Sequence, residues 1–150
     1  MKVKLIVSKE RYDEIKNMLN ERGIDVDDNA DLVLSENNRF IDSLIVKDKE
    51  SNVRVALSVE EIVYIETFGN SVEVHTEDKI YQAMDRLYKI ANLLDPDKFL
   101  RISNSVVIAK DKVKRITPTL SMKFILTMAD NSKVDVTRSY YYIFKECFGI

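Results

Sequence analysis

The sequence is short of the residues on which common catalytic and metal-binding motifs are built. Its 150 residues include one histidine, one cysteine, three glycines and no tryptophan. The single cysteine, Cys147, excludes an internal disulfide, and beside Phe148 we expect it to pack as a small apolar side chain. Three glycines leave no glycine-rich loop of the kind that cradles phosphate groups, and no zinc-ligand spacing is present. The composition therefore predicts no enzyme, no cofactor and no metal site.

Long apolar runs are also absent. No stretch approaches the roughly 18 apolar residues that a membrane helix needs, and no signal-peptide pattern occurs. With 45% hydrophobic residues, a chain of this length buries roughly two-thirds of its unfolded surface. These features predict a cytoplasmic globular protein of one domain, or of one domain with a small appendage.

Charge is unevenly distributed along the chain. The formal net charge is −2, but residues 98–150 carry ten basic and four acidic side chains, a local balance of +6. Residues 58–97 carry three basic and nine acidic side chains, a balance of −6. The basic last third favours an anionic partner such as nucleic acid, whereas the acidic block favours a protein partner.

Hydrophobic periodicity predicts two units. A strand at 2–7, a helix at 9–22 and strands at 32–34 and 44–46 indicate a small β-α-β-β unit over residues 1–53. We expect this unit to dimerise or to bind a partner, because it is too small to bury a core of its own.

Residues 54–150 are predicted to form a second, mainly β domain. Short alternating runs separated by turn residues are typical of antiparallel strands. One helix is predicted at 82–94, where apolar residues recur at three-to-four spacing before Asp95 and Pro96, and a short helix closes the chain at 140–148.

Three polar turns in the second domain are candidate binding sites: 69–71, 103–105 and 137–139. Glycine, asparagine and serine favour turns for local reasons, which is one interpretation. The alternative is base reading, because an asparagine amide matches the edge of adenine and the arginine fork matches guanine. The turn at 103–105 favours the second interpretation most, since it interrupts an apolar run.

Three stretches resemble the LytTR-type DNA-binding domain of bacterial transcription regulators. They are IVYIETFGNSVEVHT, LLDPDKFLRISNSVVIAKDKVKRI and LTMADNSKVDVTRSYYYIFKECF. The resemblance implies an elongated antiparallel multi-sheet fold that inserts loops into successive major grooves and bends DNA. It implies base contacts by Asn70, Asn104 and Arg138. Ser103 stands where that family usually has histidine, and Ala109 where it usually has asparagine.

Candidate contacts to the DNA backbone are hydroxyl and ammonium side chains near these turns. The residues are Ser71, Ser103, Ser105, Lys110, Lys112, Lys114, Lys123 and Ser139. The lysines are chosen by charge alone.

These features together predict a cytoplasmic, sequence-specific regulator that binds double-stranded DNA as a homodimer on paired sites. A membrane protein is a candidate regulator of the chain, and no small-molecule substrate is predicted. One alternative is a protein-interaction or sensing module that does not bind DNA. Another is a small hydrolase built on His75 with Glu66 or Glu73, although a mid-strand histidine favours a structural role.

Overall fold

The computed structural model describes residues 1–36 and 40–150, which form two compact units, Met1–Arg39 and Phe40–Ile150. The N-terminal unit is a small parallel sheet with one crossover helix. Its elements are β1 (Lys2–Ile6), α1 (Lys9–Glu21), β2 (Asp25–Val26) and β3 (Leu32–Ser35), with strand order β2-β1-β3. In β1, Val3 and Leu5 are buried while their neighbours are exposed, as alternation along a strand requires.

The second unit is dominated by antiparallel sheets. Its strands are β4 (Ser43–Asp48), β5 (Arg54–Ser58), β6 (Tyr64–Phe68), β7 (Ser71–His75), β8 (Ile80–Ala83), β9 (Phe99–Arg101), β10 (Val106–Ala109), β11 (Val113–Pro118), β12 (Phe124–Met128) and β13 (Lys133–Val136). Two helices, α2 (Leu87–Leu93) and α3 (Tyr141–Phe148), accompany them, with 3-10 turns at Val59–Glu61, Lys110–Lys112 and Arg138–Tyr140. The predicted mainly β fold of several antiparallel sheets, preceded by a small α+β unit, is confirmed.

The strands assemble into a seven-stranded sheet of order β5-β4-β8-β7-β6-β10-β9 and a three-stranded sheet of order β11-β12-β13. One face of the larger sheet packs on α2, burying Ile65, Val74 and Ile90. The other face contributes Tyr64 and Ile108 to a second core, which it shares with the three-stranded sheet and α3. All four residues of β10 are buried, alternating between the two cores, so this strand is fixed from both sides.

The run around Leu44 and Val46 was expected in the N-terminal unit, and it occupies a different position. It forms β4, which pairs with β5 and with β8 in the seven-stranded sheet. Both side chains are buried in the core beneath α2, which favours this pairing over a place beside β3. The compact units accordingly divide at Arg39 and Phe40, earlier than the predicted limits of 1–53 and 54–150.

Two further local differences have clear physical causes. The predicted helix at 82–94 begins only at Leu87, because Gln82 lies in β8 and pairs with Glu73 on one side and Lys47 on the other. The prediction that Cys147 packs internally is wrong, since its side chain lies on the exposed side of α3. Within the described ranges, no helix is both long enough and apolar enough to cross a bilayer.

Candidate nucleic-acid interface

Two of the polar turns lie side by side at one end of the seven-stranded sheet. Gly69 and Asn70 close the β6–β7 hairpin, and Gly69 adopts φ +60°, as the first loop position of a II′ turn requires. Strands β6 and β10 pair antiparallel, so the end of β6 adjoins the start of β10. The amide of Thr67 donates a 2.8 Å hydrogen bond to the carbonyl of Ser105. The 69–71 turn is thereby joined to the 103–105 loop.

The third turn reaches the same place from the other sheet. It follows β13, and the amide of Thr137 donates to the carbonyl of Ile102 at 3.0 Å. The hydroxyl of Tyr140 donates to Oδ1 of Asn104 at 3.3 Å. Arg138 begins the 3-10 turn between these two contacts and is exposed. Asn70, Asn104 and Arg138 therefore lie at one end of the second unit, with all three side chains exposed. We call the surface formed by residues 69–71, 103–105 and 137–139 the turn face.

A shallow groove of about 290 Å³ runs between Asn70 and Asn104. Arg86, Tyr88 and Arg101 also line this groove, and none of them was predicted from the sequence to belong to the site. Arg86 directly precedes α2 and is exposed, while Arg101 ends β9 and is half-buried. The groove thus combines two amide side chains with two guanidinium groups, which is a composition suited to polyanions.

Arg101 holds the second loop in shape. Its Nε donates to the carbonyl of Ser103 at 3.1 Å, and its Nη2 donates to the carbonyl of Asn104 at 2.5 Å. Ser103 itself is buried, and its hydroxyl accepts from the amide of Ser105 at 3.2 Å. The hydroxyl of Ser103 is therefore committed to the loop, whereas Asn104 and Ser105 face solvent.

Several of the predicted backbone contacts adjoin the turn face. Ser71 is half-buried and its hydroxyl donates to the carbonyl of Phe68, while Ser139 is exposed. Lys123 precedes β12, whose first residue pairs with the last residue of β13, so this exposed lysine lies beside the segment that leads to Arg138.

The other predicted lysines lie at the opposite end of the strands. Lys110 and Lys112 occupy the 3-10 turn that follows β10, whereas Asn104 precedes this strand. The ammonium of Lys112 is 3.7 Å from a carboxylate oxygen of Glu77. Lys114 donates to Oδ1 of Asn131, in the turn between β12 and β13, at 2.8 Å. These three lysines are therefore not brought together with the turn face.

Comparison with known proteins identifies the second unit. Residues 52–149 match the family model described as the LytTr DNA-binding domain. A solved LytTr DNA-binding domain from Bacillus cereus superposes with a TM-score of 0.68 at 22% identity, covering 73% of this chain and 99% of that one.

Curated relatives agree with this match. The sensory transduction protein LytT of Bacillus subtilis is 30% identical over 112 residues, which is 75% of this chain and 46% of the relative. The transcriptional regulatory protein LytR of Staphylococcus aureus is 22% identical over 124 residues, which is 83% of this chain and 50% of the relative. The chain spans about half the length of these relatives. The family model covers well over half of the 150 residues, and the chain therefore belongs to the LytTr DNA-binding domain family.

Proposed function

We propose that the chain is a transcription regulator that binds a specific DNA duplex through the turn face. The observation that carries the proposal is the convergence of three polar turns, from three different β-hairpins or strand ends, on one surface joined by hydrogen bonds. Because these hydrogen bonds fix the backbones of the turns, much of the cost of ordering them is met on folding rather than on binding.

Base reading is assigned to Asn70, Asn104 and Arg138. The guanidinium fork of Arg138 fits O6 and N7 of guanine, a bidentate contact that contributes about 1–3 kcal/mol to discrimination. Oδ1 of Asn104 accepts one hydrogen bond from Tyr140, which orients the amide and leaves its NH₂ group and the second lone pair of Oδ1 able to bind a base. We therefore expect Asn104 to select adenine, whose N7 accepts from the amide NH₂ group and whose N6 donates to Oδ1.

Phosphate contacts are assigned to groups that adjoin the turn face. Arg86, Arg101 and Lys123 supply positive charge, and the hydroxyls of Ser105 and Ser139 supply neutral donors. Ser103 is omitted because it is buried. Lys110, Lys112 and Lys114 are omitted because they lie at the opposite end of the strands from the turn face. Such contacts fix the register of a protein on DNA without reading sequence.

The mode of binding is proposed to be insertion of the turns into successive major grooves with bending of the duplex. The polar residues assigned to base reading stand in the β6–β7 hairpin, in the β9–β10 loop and in the segment between β13 and α3, so turns rather than the side of a helix would enter the groove. Smooth bending of a site costs about 1–6 kcal/mol, which the paired contacts of several turns would offset.

Dimerisation is assigned to the N-terminal unit. Its edge strand β3 leaves Leu32, Val33 and Leu34 between 41% and 56% exposed. An exposed apolar edge strand is a ready template for pairing with a second chain. A Val33→Glu variant is expected to shift a dimer towards monomer in sedimentation equilibrium, and an unchanged mass would count against this assignment.

Selection of bound sequences from a random duplex pool, followed by fluorescence anisotropy at several salt concentrations, tests the proposed function. Three basic groups are assigned to phosphates, so log Kd should change with log salt with a slope near 3 per chain, at about 0.9 for each neutralised phosphate. Enrichment of a defined motif is expected. An interaction module that does not bind DNA would give neither enrichment nor salt-dependent binding.

A further inference from the structure

Within the paired strands β6 and β7, away from their connecting turn, the buried side chain of His75 contacts two glutamates. Glu66 and Glu73 are direct partners in the ladder, and His75 lies two residues along β7 on the same face. The side chain of His75 is 7% exposed, that of Glu73 is 14% exposed and that of Glu66 is 27% exposed. One donor atom from each lies within 4.8 Å of the others. Sequence spacing did not predict a metal site, because it is strand pairing that brings the three side chains together.

Two of the distances between these donors match a metal shell. Nε2 of His75 forms a hydrogen bond with Oε1 of Glu66 at 3.1 Å and lies 3.6 Å from Oε2 of Glu73. A bound ion would replace the shared proton of that hydrogen bond. Ligands bonded to Zn²⁺ at 2.0–2.2 Å in tetrahedral geometry are separated by about 3.4 Å. The two observed separations bracket this value.

The donors are also held in place by neighbouring groups. The ring of Tyr64 stacks on the imidazole with centroids 4.1 Å apart and planes 11° apart. A side-chain hydrogen bond between Tyr64 and Ser132 holds this ring in turn. The ammonium of Lys49 binds Oε1 of Glu73 at 2.7 Å, which leaves Oε2 facing the histidine. Ligands oriented by such outer contacts bind metal more tightly than free ones.

The charges favour a cation as well. Carboxylates directly opposite each other in a ladder repel. Lys49 pairs with Glu73, while Glu66 lies directly opposite, so a cation bound between the two carboxylates would relieve their repulsion. We propose that Glu66, Glu73 and His75 bind a divalent cation of borderline character, of which Zn²⁺ is the best match, with water completing the shell. The ion would clamp β6 to β7, the hairpin that bears Asn70.

Zinc titration of the full chain tests the proposal. The chain should carry Cys147→Ser, so that the exposed thiol cannot bind the ion. Isothermal titration calorimetry with ZnCl₂ at pH 7.5, in a buffer free of phosphate, is expected to give one ion per chain and a raised Tm. Mg²⁺ should not compete, because it prefers an octahedral shell of oxygens.

Two ligand variants and one control decide the outcome. His75→Asn and Glu66→Gln should each weaken Zn²⁺ binding at least tenfold, whereas Glu61→Gln, an exposed glutamate outside the cluster, should not. If His75→Asn fails to fold, the more exposed Glu66→Gln carries the test, with circular dichroism as its fold control. The visible absorption of bound Co²⁺ should also disappear in Glu66→Gln. Absence of zinc binding, or binding unchanged in the folded ligand variants, would overturn the proposal.

Discussion

Replacement of Arg101 by alanine removes the group that holds the 103–105 loop in shape. The guanidinium donates to the carbonyls of Ser103 and Asn104, so the variant frees two consecutive peptide groups. Hydrogen bonds from charged donors contribute about 1.5–3 kcal/mol when buried, and less when exposed to water. Because Arg101 is half-buried, we expect a loss of about 1–2 kcal/mol in the free energy of unfolding.

That loss has two measurable consequences. At about 2–4 °C per kcal/mol for a chain of this size, Tm should fall by roughly 2–8 °C in thermal unfolding followed by circular dichroism. Affinity for the selected duplex should fall further, because a loosened loop must be ordered on binding at about 1–2 kcal/mol per residue fixed. With two residues partly freed, we expect roughly a tenfold to hundredfold increase in Kd, at 1.4 kcal/mol per factor of ten.

Two further variants distinguish the effect of holding the 103–105 loop from the effect of the positive charge of Arg101. Arg101→Lys keeps the positive charge but lacks the fork that reaches both carbonyls, so it should lose most of the affinity that the alanine variant loses. Lys133→Ala removes an exposed positive charge at the far end of β13 and should bind normally. If Arg101→Lys binds like the parent chain, the holding role is refuted and Arg101 acts through charge alone.

Four other variants, one of them a control, test the turn face in the same anisotropy assay. Arg138→Ala should lose discrimination at one guanine, about 1–3 kcal/mol, while binding to other sequences changes little; equal loss on every sequence would reassign it to phosphate contact. Arg86→Ala should weaken binding to all duplexes and lower the salt slope by about one. Lys112→Ala is the control and should leave the affinity and the salt slope unchanged. Weaker binding by Lys112→Ala with normal binding by Arg86→Ala would place the interface at the other end of the sheet. Tyr140→Phe frees Oδ1 of Asn104 and should broaden base preference at a single position, with Tm nearly unchanged; an unaltered motif would show that this hydrogen bond does not orient the amide.

Much of the fold was predictable because its signals are local. The buried run of β10, the hairpin turn at Gly69 and Asn70, and the closing helix follow from alternation, turn chemistry and helical spacing. The helix at 82–94 was predicted too long because the apolar spacing that indicates a helix continues into β8. Gln82 of that strand pairs with β4 on one side and with β7 on the other. A pairing between distant strands overrode the local pattern.

The candidate site was only partly predictable, for a related reason. Asn104 and Arg138 were identified by resemblance, but their proximity depends on contacts between residues far apart in the sequence. Arg86 joins the groove only through the fold and carries no motif. Lys112 looked close to Asn104 along the chain, yet a fully extended strand of about 3.3 Å per residue separates them.

The central claim is that a single duplex meets all three turns at once. Titration of the ¹⁵N-labelled chain with the selected duplex tests it most directly, because each backbone amide reports its own environment. The largest chemical-shift changes are expected at 69–71, 103–105 and 137–140. Changes concentrated at 110–112 and 129–131, or confined to one of the three turns, would contradict it.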